Sequence, residues 1–305
     1  MKWNLLPMDE LVRRLEPPRG KVKMVLDTDT YNEVDDQFAL AYSLLSPEKL
    51  EVLAVYAAPY FNDRSSGPED GMEKSYAEIV RLLEKMGRPG DGFVFKGSRS
   101  YLPNGETPVE SEAARDLVKK ALAMPDGELL YVVAIGAITN VASAILMEPE
   151  IVKKISVVWL GGHPLSASTA REFNLMQDVP AARVLLDCGV PFTLVPCMGV
   201  ASHLLATVPD MKEAIGGKNA LCDALVELFG EYSSDHFGWA KEIWDVSTIA
   251  YLVNPDWIPT VLEHSPLITD DFHWAKDAHR HFIRVATFAH RTPVFRDLYR
   301  KLAQA

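Results

Sequence analysis

Cysteine is scarce in this chain of 305 residues: there are three, Cys188, Cys197 and Cys222, widely spaced and set in largely apolar surroundings. That pattern argues against a disulfide framework or a zinc site and fits reduced thiols in the core of a cytoplasmic protein. Positive charge is also in short supply. Against 42 acidic residues stand 31 Lys and Arg, giving a net charge of −11 and a pI near 5.2. No Lys/Arg cluster supplies the basic face that a nucleic acid or an anionic membrane surface requires, so neither is expected as a partner. Long apolar runs are missing too. No stretch approaches the length of a transmembrane helix, and Met1 to Arg19 interleaves acids and arginines with its leucines, unlike a signal peptide. Residues 1–20 read as an N-terminal extension, a surface helix ended by Pro17-Pro18.

Apolar content, at 48%, suffices for one large core without a second domain. Strand-like runs recur at Val22 to Leu26, Leu50 to Ala58, Leu129 to Ile135, Ile155 to Leu160 and Pro191 to Pro196. Helical patterns lie between them at Asp36 to Leu45, Glu73 to Met86, Ser111 to Met124, Asn140 to Met147 and Val179 to Leu186. This alternation predicts an α/β fold, a single domain over residues 1–305 with a mostly parallel, Rossmann-like central sheet flanked by helices. After Pro209 the pattern is mainly helical, clearest at Met211 to Phe229 and Asp245 to Leu252. The polar stretches Asn62 to Gly71 and Gly97 to Val109 read as loops at the sheet edges.

The densest chemistry lies between Lys23 and Leu40, where Asp27, Asp29, Glu33, Asp35 and Asp36 sit between two apolar runs. They fall at the C-terminal end of the first strand, the edge where open α/β sheets bind ligands. Carboxylates converging in a partly desolvated crevice repel one another and hold protons unless a cation neutralises them. A divalent metal is the simplest resolution. Two other readings stand beside it. The loop is acidic merely because it is solvated, or Asp27-Thr28-Asp29-Thr30 is the aspartyl-phosphate signature of haloacid-dehalogenase-like phosphatases. The second needs a later Lys and a later acidic pair at a strand end, whereas Asp270-Asp271 sits in a polar turn.

Taken together, Asp27-x-Asp29 with Asp35-Asp36, the strand leading to Asn62, Ile135-Gly136-Ala137-Ile138-Thr139-Asn140, Gly161-Gly162, Glu172-Phe173-Asn174 and Trp244-Asp245 resemble the inosine–uridine-preferring nucleoside hydrolases. The order and spacing cover most of the chain. The resemblance implies calcium-dependent hydrolysis of the N-glycosidic bond of a ribonucleoside to free base and ribose, by a homo-oligomer (dimer or tetramer). Carried onto this sequence, Asp29, Asp36 and Asp245 are the side-chain ligands of Ca²⁺ and Ile135 gives a carbonyl. Oxygen-only ligation suits that hard cation better than zinc. Asp245 taken alone reads as a helix N-cap. Asp29 doubles as general base toward the attacking water; Asp35 and Asn174 contact the 2′- and 3′-hydroxyls, and Asn62 and Glu172 the rest of the ribose.

Three departures from the family pattern stand out. Trp244 replaces a histidine and implies stacking on the base in place of protonation, as in the purine-specific branch. Tyr232 and His236, in Glu231 to Gly238, then become the candidates for a mobile flap over the base. Thr30 to Val34 is a longer turn than the usual three residues and could bring Tyr31 or Asn32 into the pocket. Ser166 falls near the position of an asparagine that contacts the 5′-hydroxyl, and His163 follows Gly161-Gly162 in a loop of altered composition. A nucleoside- or sugar-binding protein without efficient turnover is the alternative of a different class, since the missing histidine would permit it.

Overall fold

The apolar runs form the centre of an eight-stranded sheet in a computed structural model that describes residue 3 and residues 5–305; positions 1, 2 and 4 of the N-terminal segment lie outside the described residues. The first six strands are β1 (Val22–Thr28), β2 (Leu50–Ala57), β3 (Val94–Lys96), β4 (Leu130–Ala134), β5 (Ile155–Leu160) and β6 (Phe192–Val195). Further along, β7 (Leu205–Ala206) pairs with β8 (Lys241–Glu242) apart from the sheet, and β9 (Thr260–His264) joins it. Strands β10 (Leu267–Ile268) and β11 (Trp274–Ala275) form a second small ladder, and β12 (Phe282–Ala286) returns to the sheet. The spatial order is β3-β2-β1-β4-β5-β6-β12-β9, parallel throughout except where β9 runs antiparallel to β12.

The five strands expected from apolar runs lie side by side, and the three that were not expected flank them, β3 and β9 as the two edges and β12 between β6 and β9. A strand covered on both faces reads as a continuous apolar run, whereas an edge strand need not. Strand β3 has only three residues, and β9 carries Glu263 on its exposed edge. In β12, Arg284 interrupts the run yet is buried, because its Nε donates to Leu15 O and its Nη1 to Thr260 Oγ1. The mainly helical reading of the region after Pro209 is corrected accordingly.

The helices are α1 (Met8–Arg14), α2 (Asp35–Leu44), α3 (Pro68–Lys85), α4 (Glu112–Leu122), α5 (Thr139–Met147), α6 (Phe173–Gln177), α7 (Val179–Asp187), α8 (Val208–Ile215), α9 (Ala220–Gly230), α10 (Val246–Val253) and α11 (Arg291–Ala303). Residues Met211 to Phe229, expected as one helix, are two, because Gly216-Gly217 ends α8 and the Asn219 side chain caps α9 by accepting from Cys222 N at 2.9 Å. Side chains alternate across each strand, so Met24 and Leu26 of β1 pack with α2, α3 and α8 to α11, while Val25 packs with α4, α5 and α7. Burial of such a side chain contributes about 1.5–3 kcal/mol. That is the scale of apolar stabilisation offsetting the acids at the strand ends. Helix α1 docks through Leu11, joined by Leu6, Leu15 and Phe282.

Because β1, β4, β5 and β6 are parallel, their C-terminal ends open on one edge. The residues that follow them, Asp29, Ile135, Gly161 and Cys197, emerge side by side there.

Candidate active site

Strand β1 delivers its acids into the interior: Asp27, Asp29, Asp35 and Asp36 are all buried, which overturns the solvated-loop reading. The turn after β1 is closed by Asn32 N donating to Asp29 O at 2.7 Å, and Asp35 and Asp36 then open α2 in its first turn, where the helix dipole favours negative charge. From the far end of the chain Asp245 starts α10. It stands at the N-cap position, but its carboxylate makes no cap hydrogen bond; one of its oxygens, one of Asp35 and one of Asp36 lie within 4.8 Å of one another. Thr28 Oγ1 donates to Asp36 Oδ1 at 2.5 Å. Asp29 Oδ2 accepts from Asn32 Nδ2 at 3.2 Å, and Asp29 Oδ1 is buried without a partner among the described residues.

Burial first, and mutual repulsion second, hold the carboxyls of Asp29, Asp36 and Asp245 well above the usual range. Asp35 is pushed up to about 7 by burial and by Glu33, against the pull of Lys241, which pairs with Glu33. Asp27 is likewise pushed up to about 7 by burial, opposed by a hydrogen bond from Asn140.

Asn140, in the first turn of α5, is a fully engaged buried amide beneath the acids. Its Nδ2 donates to Asp27 Oδ1 at 2.7 Å and Ala57 O at 3.2 Å, and its Oδ1 accepts from Ser98 N and Oγ at 2.7 and 2.8 Å. Gly136 lies between. A Cβ there would come within 2.9 Å of Asp29 Cγ, and Trp159 Nε1 pins the Gly136 carbonyl at 3.0 Å. Beyond β5, Gly162 turns at φ +66°, where a Cβ would meet Trp274 at 2.8 Å. Glu172 caps α6, accepting from Gly162 N, Asn174 N and Leu175 N at 2.8, 3.0 and 3.1 Å; burial nonetheless raises it to about 7. Asn174 Nδ2 donates to Ile135 O at 3.1 Å and Leu160 O at 3.0 Å.

These groups wall a cavity of about 310 Å³ that holds Asp29, Asp35, Asp36, Ile135, Glu172, Asn174, Trp244 and Asp245. Asn32 and His163 also line it. Tyr31 does not; it lines a neighbouring cavity with Arg64 and Tyr232. Asn62, Tyr232 and His236 stand outside the wall. Asn62 donates its Nδ2 to Asn32 Oδ1 at 2.6 Å, so the longer turn interposes Asn32 between Asn62 and the cavity. The Tyr232 hydroxyl accepts from Arg64 Nη1 at 2.6 Å, and the exposed His236 ring bonds Gly230 O at 2.9 Å. Ser166 lines a different pocket. The reading of the sequence missed Glu33, Leu160, Arg171, Phe173 and Cys197 as wall residues. Their signal was position: Arg171 and Phe173 flank Glu172, and Cys197 follows β6 at the same edge. Cys188 and Cys222 are buried free thiols as expected, whereas Cys197 is only partly so.

The donor set fits a hard divalent cation. It is all oxygen, it concentrates desolvated negative charge, and Asp29 Oδ1 lacks the hydrogen bond that a buried polar atom otherwise makes. The most compact trio contains Asp35 in place of the expected Asp29. Asp35, however, already accepts from the Asp245 backbone.

The family model described as inosine-uridine preferring nucleoside hydrolase matches residues 24–294. Among curated relatives, the chain is similar to a probable uridine nucleosidase 2 of Arabidopsis thaliana, 26% identical over 235 residues that span 70% of each chain. It is also similar to the pyrimidine-specific ribonucleoside hydrolase RihA of Enterobacter sp. (strain 638), 28% identical over 78% of this chain and 81% of that one. Matches to RihB chains of Escherichia coli span half their length. In fold it is similar to the plant nucleoside hydrolase PpNRh1, with a TM-score of 0.74 at 21% identity over 93% of this chain and 99% of that one. A match running from β1 into α11 leaves only the two ends of the chain outside it, and this protein therefore belongs to the inosine–uridine preferring nucleoside hydrolases, a family of hydrolases acting on N-glycosyl bonds.

Proposed function

We propose that residues 1–305 act as one domain that hydrolyses the N-glycosidic bond of a ribonucleoside, in a calcium-dependent reaction, to free base and ribose. The observation that carries this reading is the convergence of buried Asp35, Asp36 and Asp245 beside a partnerless Asp29 oxygen. Asp29, Asp36, Asp245 and the Ile135 carbonyl would hold the ion. When bound, Ca²⁺ supplies the positive charge that lets these carboxyls ionise together, and it lowers the pKa of water at the site. Asp29 Oδ1 takes a proton from the water attacking C1′, while Asn32 holds the other oxygen. A C1′–O bond forms, the C1′–N bond breaks, and the base leaves with the electron pair. Positive charge growing on the ring faces Asp35 and Glu172 in a site of low dielectric, where fixed charges act most strongly. Asp35 and Asn174 bind the sugar diol.

Trp244, half-buried in the cavity wall, stacks on the base. Trp244→Ala is expected to lower kcat/KM for purine ribonucleosides up to about tenfold more than for pyrimidine ones, the scale of an aromatic pair worth roughly 0.5–1.5 kcal/mol. Equal losses on inosine and uridine would remove stacking from the account. Gly136→Ala tests the base from behind: the added Cβ displaces Asp29, and overpacking of about 1–3 kcal/mol predicts a loss of turnover of at least about tenfold. Unchanged turnover in a folded Gly136→Ala protein would contradict it.

The experiment that tests the reading is reducing-sugar release from a panel of purine and pyrimidine ribonucleosides, with added Ca²⁺ and with chelator. Release that depends on calcium supports it. Trp244 supplies no proton to a base nitrogen and His236 stands outside the wall, which favours a second reading, ribonucleoside binding with little turnover. Tight binding without release would select that one. The free thiols and the family relationship support a cytoplasmic homo-oligomer, dimer or tetramer, in purine or pyrimidine salvage.

A further inference from the structure

The charged groups of the cavity wall are mostly acids, and its two basic side chains stand on one loop. Glu33 and the four aspartates crowd beneath β1 and α10, whereas His163 and Arg171 stand on the loop that leaves β5 for α6. No carboxylate pairs with the Arg171 guanidinium among the described residues. It lies over the Phe272 ring, 5.6 Å from the centroid, a stacking that fixes its plane and leaves its N–H edge available. The adjacent Glu172 does not neutralise it, because that carboxylate is turned inward onto three backbone N–H groups. His163 Nδ1 is buried and has no partner among the described residues.

From the Arg171 guanidinium, which no carboxylate pairs among the described residues, and the buried His163 Nδ1 on the same loop of the cavity wall, we infer a subsite for an anionic group on the 5′ carbon of the substrate. The site then takes ribonucleoside 5′-monophosphates in preference to free nucleosides. This rests on the N-ribohydrolase reading above. A ribonucleoside has three extremities, and that reading directs the diol to the acids and the base to Trp244. Of the two residues that the resemblance assigns to the rest of the ribose, Asn62 stands outside the wall and Glu172 is engaged by three backbone N–H groups, which leaves the 5′ substituent for Arg171. A neutral hydroxyl calls for no free guanidinium, whereas a phosphate accepts two parallel N–H bonds from one. Elsewhere in the cavity the carboxylates repel an anion. The bonds made and broken at C1′ are unchanged, and the products become free base and ribose 5-phosphate.

Two measurements test the subsite. In the first, kcat/KM is compared for inosine 5′-monophosphate against inosine, and for the uridine pair, in the wild type, Arg171→Lys and Arg171→Ala. The ratio is expected to favour the monophosphate in the wild type and to fall about 10- to 100-fold in Arg171→Ala, the range for a hydrogen bond to a charged group. Arg171→Lys, a point charge without the fork, should fall between. In the second, ribose 5-phosphate and ribose are titrated into the calcium-loaded protein by calorimetry, a readout independent of turnover. Ribose 5-phosphate is expected to bind at least about tenfold tighter in the wild type, a preference lost in Arg171→Ala. Equal affinity for the two sugars, or a ratio that Arg171→Ala leaves unaltered, overturns the subsite. Release from nucleosides without any phosphate preference sinks the subsite and keeps the hydrolase. Tight ribose 5-phosphate binding without release from any substrate does the reverse.

Discussion

Asp29→Asn is expected to lower turnover about 10²- to 10⁴-fold, the contribution of a positioned general base, while leaving the folded protein at least as stable as the wild type. The substitution preserves shape but removes the atom to which the proposed reaction passes the proton. Asp29 is wholly buried, one oxygen is fixed by Asn32, and the other has no partner among the described residues. An amide also removes one of the mutually repelling charges, which is why no loss of stability should accompany the loss of rate. Ribose release at saturating substrate and thermal unfolding of the same preparation decide the matter. A rate within tenfold of wild type would remove Asp29 from the chemical step.

Asp36→Ala should abolish calcium binding and turnover together. The carboxylate it deletes lies within 4.8 Å of those of Asp35 and Asp245, and the Thr28 hydroxyl that serves it remains paired with Thr30 at 2.8 Å. Calorimetric titration with Ca²⁺ should show no binding in a variant that still unfolds cooperatively; full activity would sink the calcium assignment. Metal removal from the wild type carries a pH signature. Asp27, Asp35 and Glu172 are pushed up to about 7, and Asp29, Asp36 and Asp245 are also raised. The native chain therefore binds more protons than the unfolded one. Without metal this contribution is fully present below the unfolded carboxylate range of about 4 and is lost as pH rises through about 7. Chelated protein should melt at a lower temperature at pH 8 than at pH 5, and Ca²⁺ should restore the difference at pH 8. Melting temperatures that rise with pH in chelator would contradict burial of these acids.

The acidic loop was legible because its chemistry is local: Asp27 to Asp36 occupy one strand end and the helix start that follows, and an apolar run on each side marks both. The central strands were legible for the related reason that burial on two faces leaves few polar residues, such as Lys23, Glu51 and Ser156, to interrupt the apolar runs. What escaped was non-local. Arg284 in β12 looks misplaced until Leu15 and Thr260 are seen to accept from it, and nothing near residue 284 signals either partner. Likewise Asn62 follows its strand as expected, but whether it faces the cavity depends on Asn32 in another loop. Trp244 and Asp245 were placed by their motif, and the sheet edge that receives them came only with the fold.

The amide of Asn140 has a consequence in time. It joins β1, the end of β2 and the segment after β3 across separations of 113, 83 and 42 residues, so none of its bonds can form before those stretches of chain have found one another. Contacts of such long range are slow to establish. A growing polypeptide that has emerged only as far as α9 carries the whole acidic loop yet lacks Asp245, and so presents unmatched carboxylates with no finished pocket. The cavity wall is thus incomplete until the chain has been made as far as α10, and Asp36 and Asp245 cannot share a ligand before then.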